Sequence, residues 1–175
     1  ILKELDELYF GNLYKDPNRN ASQSEQPHIS ISNNNIYITG YQNFNININT
    51  KKVNFNKEKY NIVKKKLIEL NINNTSIADI GCNCGIVSFI ANEIGYSKIY
   101  GLDHDLDCIN IIEKIIDKLK INNINVEKYS FGDNFIKSDI VFCGAIIHWI
   151  FSLTAKYGNF DLIIDYLIKK CNNYL

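Results

Sequence analysis

The sequence predicts an α/β protein in which a mainly parallel sheet is covered by helices on both faces. From residue 56 onward, short apolar runs typical of strands alternate with stretches of helical periodicity. This alternation indicates parallel strands joined by helices. The length of 175 residues suits one compact domain, and a hydrophobic fraction of 46% can build its core. We therefore expect a single core that carries an accessory segment.

Periodicity places the strands and helices of this core. The strands are predicted at Ser76–Ile80, Lys98–Leu102, Asn125–Tyr129 and Asp139–Cys143. The helices are predicted from Asn56 to about Leu70, at Gly85–Glu93, at about Asp107–Lys120 and from about Phe160 to Cys171. Asn172–Leu175 would open a fifth strand.

Residues 1–55 are predicted to form an appendage without a core of their own. Ile1–Leu8 has apolar residues at helical spacing, and a polar stretch typical of a loop follows. Alternating residues around the turn Asn33–Asn35 then predict a hairpin that ends near Gly40. Long irregular segments on such cores commonly cover the active site. We therefore divide the chain into a cap or substrate segment, residues 1–55, and the α/β unit, residues 56–175.

Charge, hydropathy and cysteine content narrow the class of protein. The 19 basic and 19 acidic side chains give a net charge of zero, which argues against a broad nucleic-acid surface. No stretch reaches the roughly 18 apolar residues of a membrane span, and no signal-peptide pattern opens the chain. The five scattered cysteines do not have the spacing of a disulfide framework. We expect free thiols and a reducing, cytoplasmic location.

The turn after the first predicted strand carries the clearest chemical signal. Asp79, Gly81 and Gly85 have the order Asp-x-Gly-x-x-x-Gly, and a predicted helix follows. Glycines at such a turn let the backbone approach a ligand closely. The pattern resembles the first motif of class I S-adenosylmethionine (SAM) dependent methyltransferases, which implies a Rossmann-like doubly wound fold and SAM as the cofactor. Asn83 stands at the usual central glycine, a departure that favours SAM over a dinucleotide, whose pyrophosphate needs that glycine.

Two later positions extend the resemblance, which covers roughly residues 60 to 150. Asp103 ends the second predicted strand, where a carboxylate can accept hydrogen bonds from both hydroxyls of a ribose. His104 follows it, at a position that the resemblance assigns to the adenine edge; the alternative is a partly exposed loop residue without a role in the chemistry. The resemblance also assigns Asp133, which follows the third strand, to the adenine amino group. A Gly-Asp pair such as Gly132-Asp133 is otherwise a common turn, so its interpretation depends on its place in the ordered set.

The pair Cys82 and Cys84 is a candidate metal site, because two thiolates this close in sequence can bind zinc or copper. No second pair follows at metal-binding distance, and both residues fall inside the glycine turn. We therefore interpret them as small buried residues of the core and expect no metal.

The reacting end of the site is expected after the fourth strand. In open α/β sheets the ligand lies beyond the carboxyl ends of the strands, beside the switch in strand order. His148 follows that strand and is the candidate general base, with substrate positioning and a structural role as alternatives. Trp149 is a candidate wall of the substrate pocket. In the cap, Tyr9 and Tyr14 are expected to face the substrate.

The acceptor is predicted less directly than the cofactor. The residues from His148 to Asn159 are similar to those of methyltransferases that modify sugars and nodulation factors, which implies O-methylation of a sugar, glycan or other small hydroxylated molecule. The alternatives are an RNA or protein methyltransferase and an inactive SAM-binding domain. The family's sheet normally has seven strands and the chain contains no Met. We therefore expect a sheet truncated after the start of its fifth strand and a chain that is part of a longer polypeptide.

Overall fold

A computed structural model describes residues 27–71, 74–144, 146–154 and 156–175, apart from the side chains of His148, Trp149 and Leu153. The predicted helix at Ile1–Leu8 lies outside these ranges, as do Tyr9 and Tyr14. The described residues form an antiparallel sheet, a parallel sheet and the helices that cover them.

The antiparallel sheet has four strands in the order β1-β2-β3-β4. Their bounds are β1 His28–Ser32, β2 Asn35–Thr39, β3 Phe44–Asn47 and β4 Val53–Phe55. The predicted hairpin is confirmed, with Ile29 opposite Ile38 and a turn in which Asn33 and Asn34 adopt positive φ. The sequence reading did not foresee β3 and β4. Their Asn residues disfavour strands by propensity, and apolar contacts made elsewhere in the fold decide their conformation.

The parallel sheet has the strand order β7-β6-β5-β8-β9, and every neighbouring pair is parallel. Its strands are β5 Ser76–Ile80, β6 Lys98–Asp103, β7 Ile124–Lys128, β8 Ser138–Cys143 and β9 Cys171–Tyr174. The four predicted strands are confirmed to within a residue at each end. The predicted opening of a fifth strand corresponds to β9. Strand order reverses between β5 and β8, which makes this a doubly wound sheet.

Five helices are found among the described residues: α1 Glu58–Leu70, α2 Ile86–Ile94, α3 Leu106–Leu119, α4 Ile147–Leu153 and α5 Phe160–Lys169. The Asp105 carboxylate caps α3 by accepting hydrogen bonds from the amides of Asp107 and Cys108. Gly95, with φ 96°, ends α2. No helix in these ranges is long and apolar enough to cross a bilayer.

Two hydrophobic clusters flank the parallel sheet. One joins the Ile77 and Ile99 face of the sheet to α2 and α3, and the other joins the Ile80 and Leu102 face to α4 and α5. The antiparallel sheet belongs to the first cluster, to which it contributes Ile36, Ile38, Phe44, Ile46 and Val53. The described part of residues 1–55 thus has no separate core and packs into the main one, because its inward apolar face has α2 to pack against.

The connection from β7 to β8 contains no helix. Residues 129–137 cross the sheet as a loop that is held by a group of rings, here called the aromatic cluster: Tyr129, Phe131, Phe135, Tyr157 and Tyr166. The hydroxyls of Tyr129 and Tyr166 lie 2.9 Å apart. The cluster covers the part of the sheet that a crossover helix would otherwise cover.

Candidate functional site

The strand register brings the predicted site loops to one edge of the parallel sheet. Ile80 of β5 pairs with Leu102 of β6 and with Cys143 of β8, and Asp103 pairs with Lys128 of β7. The loops that follow these strands therefore lie side by side at the carboxyl end of the sheet. This edge includes the switch in strand order, where open α/β sheets bind ligands.

Gly81–Ile86, here called the glycine loop, leads from β5 into α2. Gly81 has φ 71° and its amide donates to the Leu102 carbonyl at 2.7 Å. A side chain at this position would be strained by the positive φ, and its Cβ, 2.5 Å from Cδ1 of Ile146, would have to displace that side chain. Gly85 has φ 82° and its amide donates to the Cys82 carbonyl at 2.9 Å. Asn83 shares the left-handed conformation, with φ 50°, which Asn tolerates better than most residues.

Asp103 lies at the end of β6 with its carboxylate turned toward the glycine loop. Its Oδ2 accepts a hydrogen bond from the Asn83 amide at 2.6 Å, and its Oδ1 accepts one from the Asp105 amide at 3.0 Å. His104 Nδ1 lies 3.3 Å from Oδ1. Burial alone would raise the pKa of Asp103, but these hydrogen bonds from His104, Asp105 and Asn83 outweigh it and lower the pKa. The side chain is therefore an ionised acceptor at neutral pH.

Asp79 is a second buried carboxyl at the same end of the sheet. It is 2% exposed, and its Oδ2 accepts a hydrogen bond from the Ser88 hydroxyl at 2.9 Å. Burial raises the pKa of Asp79 to about 7; the Ser88 hydrogen bond opposes the rise and the charge of Asp103 adds to it. Ser88 was not foreseen as a partner, although its place in the first turn of α2 is fixed by the glycine loop.

His104 and Asp133 lie in the loops after β6 and β7. His104 is half-buried beside Asp103. Asp133 closes a tight turn, in which its amide donates to the Ser130 carbonyl at 2.9 Å and its Oδ2 accepts from the Ser130 amide at 3.2 Å. The Tyr166 hydroxyl donates to the Asp133 carbonyl. The aromatic cluster thus fixes the loop that carries Asp133.

The loop after β8 brings α4 to the glycine loop. Ile146 contacts Gly81 and accepts, through its carbonyl, a hydrogen bond from the Ile150 amide at 3.0 Å. His148 and Trp149 lie in the first turn of α4, so their backbone is at the predicted edge, but their side chains lie outside the described part of the chain. Their roles stay predictions, as do those of Tyr9 and Tyr14.

Cys82 and Cys84 lie in the glycine loop and are each 1% exposed. The Sγ atoms of Cys84 and Cys108 are 3.6 Å apart. Across the described ranges, no group of three or more His, Cys, Asp or Glu side chains is arranged to hold a metal ion. The interpretation of both cysteines as buried core residues is confirmed.

The sequence reading also missed Gln42, a buried residue from the antiparallel sheet that contacts the glycine loop. Its Nε2 donates to the Cys82 carbonyl at 3.0 Å and its Oε1 accepts from the Ile86 amide at 3.2 Å. No local pattern marks such a residue, because its partners are 40 and 44 positions away.

The residues at this edge fit the SAM that the resemblance implies. The Asn83 Oδ1 atom is buried and accepts no hydrogen bond from any described residue, so it can accept one from a ligand. Asp103 keeps one acceptor position, since a carboxylate has about four and the Asn83 amide, the Asp105 amide and the His104 ring use three of them.

Comparisons with known proteins agree with this assignment. A solved magnesium protoporphyrin IX methyltransferase from Synechocystis superposes with a TM-score of 0.54, 18% identity, and coverage of 66% of this chain and 54% of that one. The YcgJ protein of Bacillus subtilis superposes with a TM-score of 0.50, 11% identity, and coverage of 64% and 47%. At such identities these two matches show the fold alone, which is the predicted Rossmann-like one.

The sequence itself matches one family. A ribosomal protein L11 methyltransferase from Acetivibrio thermocellus is 26% identical over 95 residues, which are 54% of this chain and 28% of that protein. The chain thus spans under a third of that relative. The family model of the ribosomal protein L11 methyltransferases (PrmA) matches residues 65–160, more than half of the chain. The class that the motifs indicated is confirmed, with SAM as its cofactor: the chain belongs to the PrmA methyltransferase family.

Proposed function

We propose that this chain is the cofactor-binding part of a methyltransferase that transfers the methyl group of SAM to a protein acceptor. The observation that carries the proposal is the convergence of the glycine loop, Asp103 and the first turn of α4 at one edge of a doubly wound sheet. The family match supports the reaction class, and the names of the relatives support a protein acceptor.

In this proposal Asp103 accepts a hydrogen bond from the ribose, and the glycine loop lies along the methionine part of the cofactor. Asn83 offers its unpaired Oδ1, and Asp79 supports the loop from below through Ser88. His104 borders the adenine, and Asp133 accepts from the adenine amino group. Both are placed in loops at the same edge, next to Asp103 and the aromatic cluster.

SAM, when bound, supplies a methyl group already activated on a sulfonium. The protein's part is then to align the acceptor and to accept its proton. We assign the role of proton acceptor to His148. It lies in the first turn of α4, and Ile146, just before this helix, packs against Gly81. Substrate positioning and a structural role remain the alternatives. Trp149 is the proposed wall of the acceptor site, with Tyr9 and Tyr14 of the cap.

This proposal differs in its acceptor from the sequence-based prediction of a sugar or glycan acceptor. That prediction is not confirmed, and the family membership favours its alternative, a protein methyltransferase. A cytoplasmic location fits both, since the five cysteines are free thiols.

Two experiments test the proposal in sequence. Calorimetric titration with the demethylated cofactor, S-adenosylhomocysteine, should show binding that Asp103→Ala weakens by about 1–3 kcal/mol, the cost of removing hydrogen bonds to a charged group. Asp117→Ala, which removes an exposed carboxylate on α3, is the matched control. Unchanged affinity in Asp103→Ala would contradict the ribose assignment.

Transfer of a labelled methyl group is then measured with ribosomal protein L11 and, separately, with nucleotide sugars. Labelling of L11 would support a protein acceptor, and labelling of a nucleotide sugar would support the predicted sugar or glycan acceptor instead. Binding of the cofactor without transfer to any protein, RNA or sugar acceptor would support an inactive SAM-binding domain.

A further inference from the structure

Gln42 lies in the turn between β2 and β3 and is 7% exposed. Its side-chain amide bridges the two ends of the glycine loop, with Nε2 donating to the Cys82 carbonyl and Oε1 accepting from the Ile86 amide. One side chain of the antiparallel sheet thus fixes the distance between the start of the loop and the start of α2.

The Ile86 amide needs this acceptor. It belongs to the first turn of α2, where amides have no carbonyl partner within the helix. Ile86 is 0% exposed, so bulk water does not reach it. Removing the Gln42 carboxamide would leave a buried donor unpaired, and the loop or the helix start would have to move to satisfy it.

The position of Gln42 is itself fixed on both sides. The turn that contains Gln42 is closed by the Asn43 side chain, which accepts from the Gly40 amide at 3.3 Å and donates to the Gly40 carbonyl at 3.0 Å. After it, the Phe44 ring is 5% exposed and lies 6.2 Å from the Phe89 ring of α2, measured between centroids. The carboxamide is therefore presented to the loop by a closed turn and an anchored ring.

We propose that Gln42 is a positioning residue of the cofactor site, holding Cys82–Ile86 in the conformation that receives the cofactor. Tight cofactor binding then requires the antiparallel sheet to be docked on α2, although that sheet contributes no residue to the cofactor motifs. The inference rests on the proposed cofactor binding.

The test uses two substitutions of different shape in the full chain. Gln42→Met keeps the volume and loses both hydrogen bonds, whereas Gln42→Ala also loses the packing. Both should weaken S-adenosylhomocysteine binding about tenfold or more, as expected when a buried hydrogen-bond donor is left unpaired at the site. Hydrogen exchange of the Ile86 amide should accelerate in both variants, with or without cofactor.

Val53→Ala is the matched control. Val53 is also buried in the antiparallel sheet, but its amide binds Glu93 at the far end of α2. This variant should lose stability while its affinity for S-adenosylhomocysteine stays unchanged, when each variant is titrated below its own unfolding temperature.

Three results would speak against the inference, and they can be told apart. Wild-type affinity in Gln42→Met with a defect only in Gln42→Ala would reduce the role to packing. An affinity loss in Val53→Ala as large as in Gln42→Met would reduce it to stability. A wild-type chain that does not bind S-adenosylhomocysteine would overturn the proposed function and this inference with it.

Discussion

Asp79 and Asp103 end neighbouring strands, yet their environments favour opposite protonation states. Asp79 is enclosed by the core and has Ser88 as its side-chain donor. Asp103 accepts hydrogen bonds from backbone amides of the loops around it. Accordingly the pKa of Asp79 rises to about 7, while hydrogen bonds overcome burial and lower the pKa of Asp103. A single protein edge thus holds one carboxyl that ionises only near neutrality beside one that stays ionised.

Asp79 makes stability depend on pH in a predictable direction. Because its folded pKa of about 7 exceeds the ordinary aspartate value of 3.8, the folded state retains a proton that the unfolded state releases between these values. This contribution is fully present below about pH 4 and is lost as pH rises toward 7. Urea unfolding of wild type and Asp79→Asn between pH 4 and 8 should show the wild type losing stability relative to the variant. Parallel curves would contradict the assignment.

His148 is expected to act in the chemical step, since it follows β8 whereas every predicted cofactor position precedes that strand. His148→Ala should lower turnover by about 10²- to 10⁴-fold, the usual contribution of a general base, and leave SAM affinity nearly unchanged. His148→Asn should lose the base as well. A variant that is destabilised but turns over normally per folded molecule would assign His148 a structural role instead.

At the scale of elements, Glu93 joins three of them. Its Oε2 accepts from the Val53 amide of β4 at 3.0 Å, and its Oε1 lies 2.6 Å from Lys64 Nζ of α1. Both charged side chains are only about a quarter exposed or less, at 24% and 20%. The pair therefore ties the antiparallel sheet and α1 to α2.

Glu93→Ala should lower the free energy of unfolding by about 1–3 kcal/mol, because it leaves the Val53 amide without its acceptor. Glu69→Ala removes a pair with Lys66 whose side chains are 64% and 50% exposed, and should cost under about 1 kcal/mol. Chemical denaturation measures both variants. Equal effects would mean that the Glu93 contacts contribute no more than a surface pair.

The elements that the sequence predicted are those whose periodicity agrees with their environment. β5 and β6 are apolar runs buried on both faces, and Gly95 and Asp105 mark a helix end and a helix start. β3 and β4 were not predicted, because Asn residues alternate with their inward apolar side chains and lower the strand propensity of the sequence. Their strand conformation depends on packing against α2, which is distant in sequence.

The site follows the same division. The sequence placed Asp79, Gly81, Gly85 and Asp103 together because they lie at or just after strand ends in a fixed order, and the structure brings them to one edge. Gln42 and Ile146 were missed, because the first acts across 40 positions and the second through a side chain that lies over Gly81. Neither contact has a local sequence signature.

For the molecule as a whole, burial controls the reactivity of its thiols. Burial raises the pKa of Cys82, and the hydrogen bond with Cys84, followed by burial, raises that of Cys108. Burial also raises the pKa of Cys143 to about 12. Since the thiolate is the reactive form, these thiols should react slowly with a thiol reagent in the folded protein.

Titration of the unfolded, unreduced protein should then count all five cysteines as thiols. The half-buried Cys171 should be the first to react under native conditions. A shortfall of two on unfolding would mean a disulfide, and with it an oxidising compartment in place of the reducing one expected from the sequence.

The shared core also affects how the chain is made. The antiparallel sheet precedes α2 in the sequence, and its contacts with that helix and the glycine loop join residues 40 positions apart. At about 5–20 residues per second, a ribosome needs about 2–8 s to add such a length. During that interval the nascent strands carry Ile36, Ile38, Phe44 and Ile46 with no helix to cover them, a surface that a chaperone would have to shield or the exit tunnel to confine.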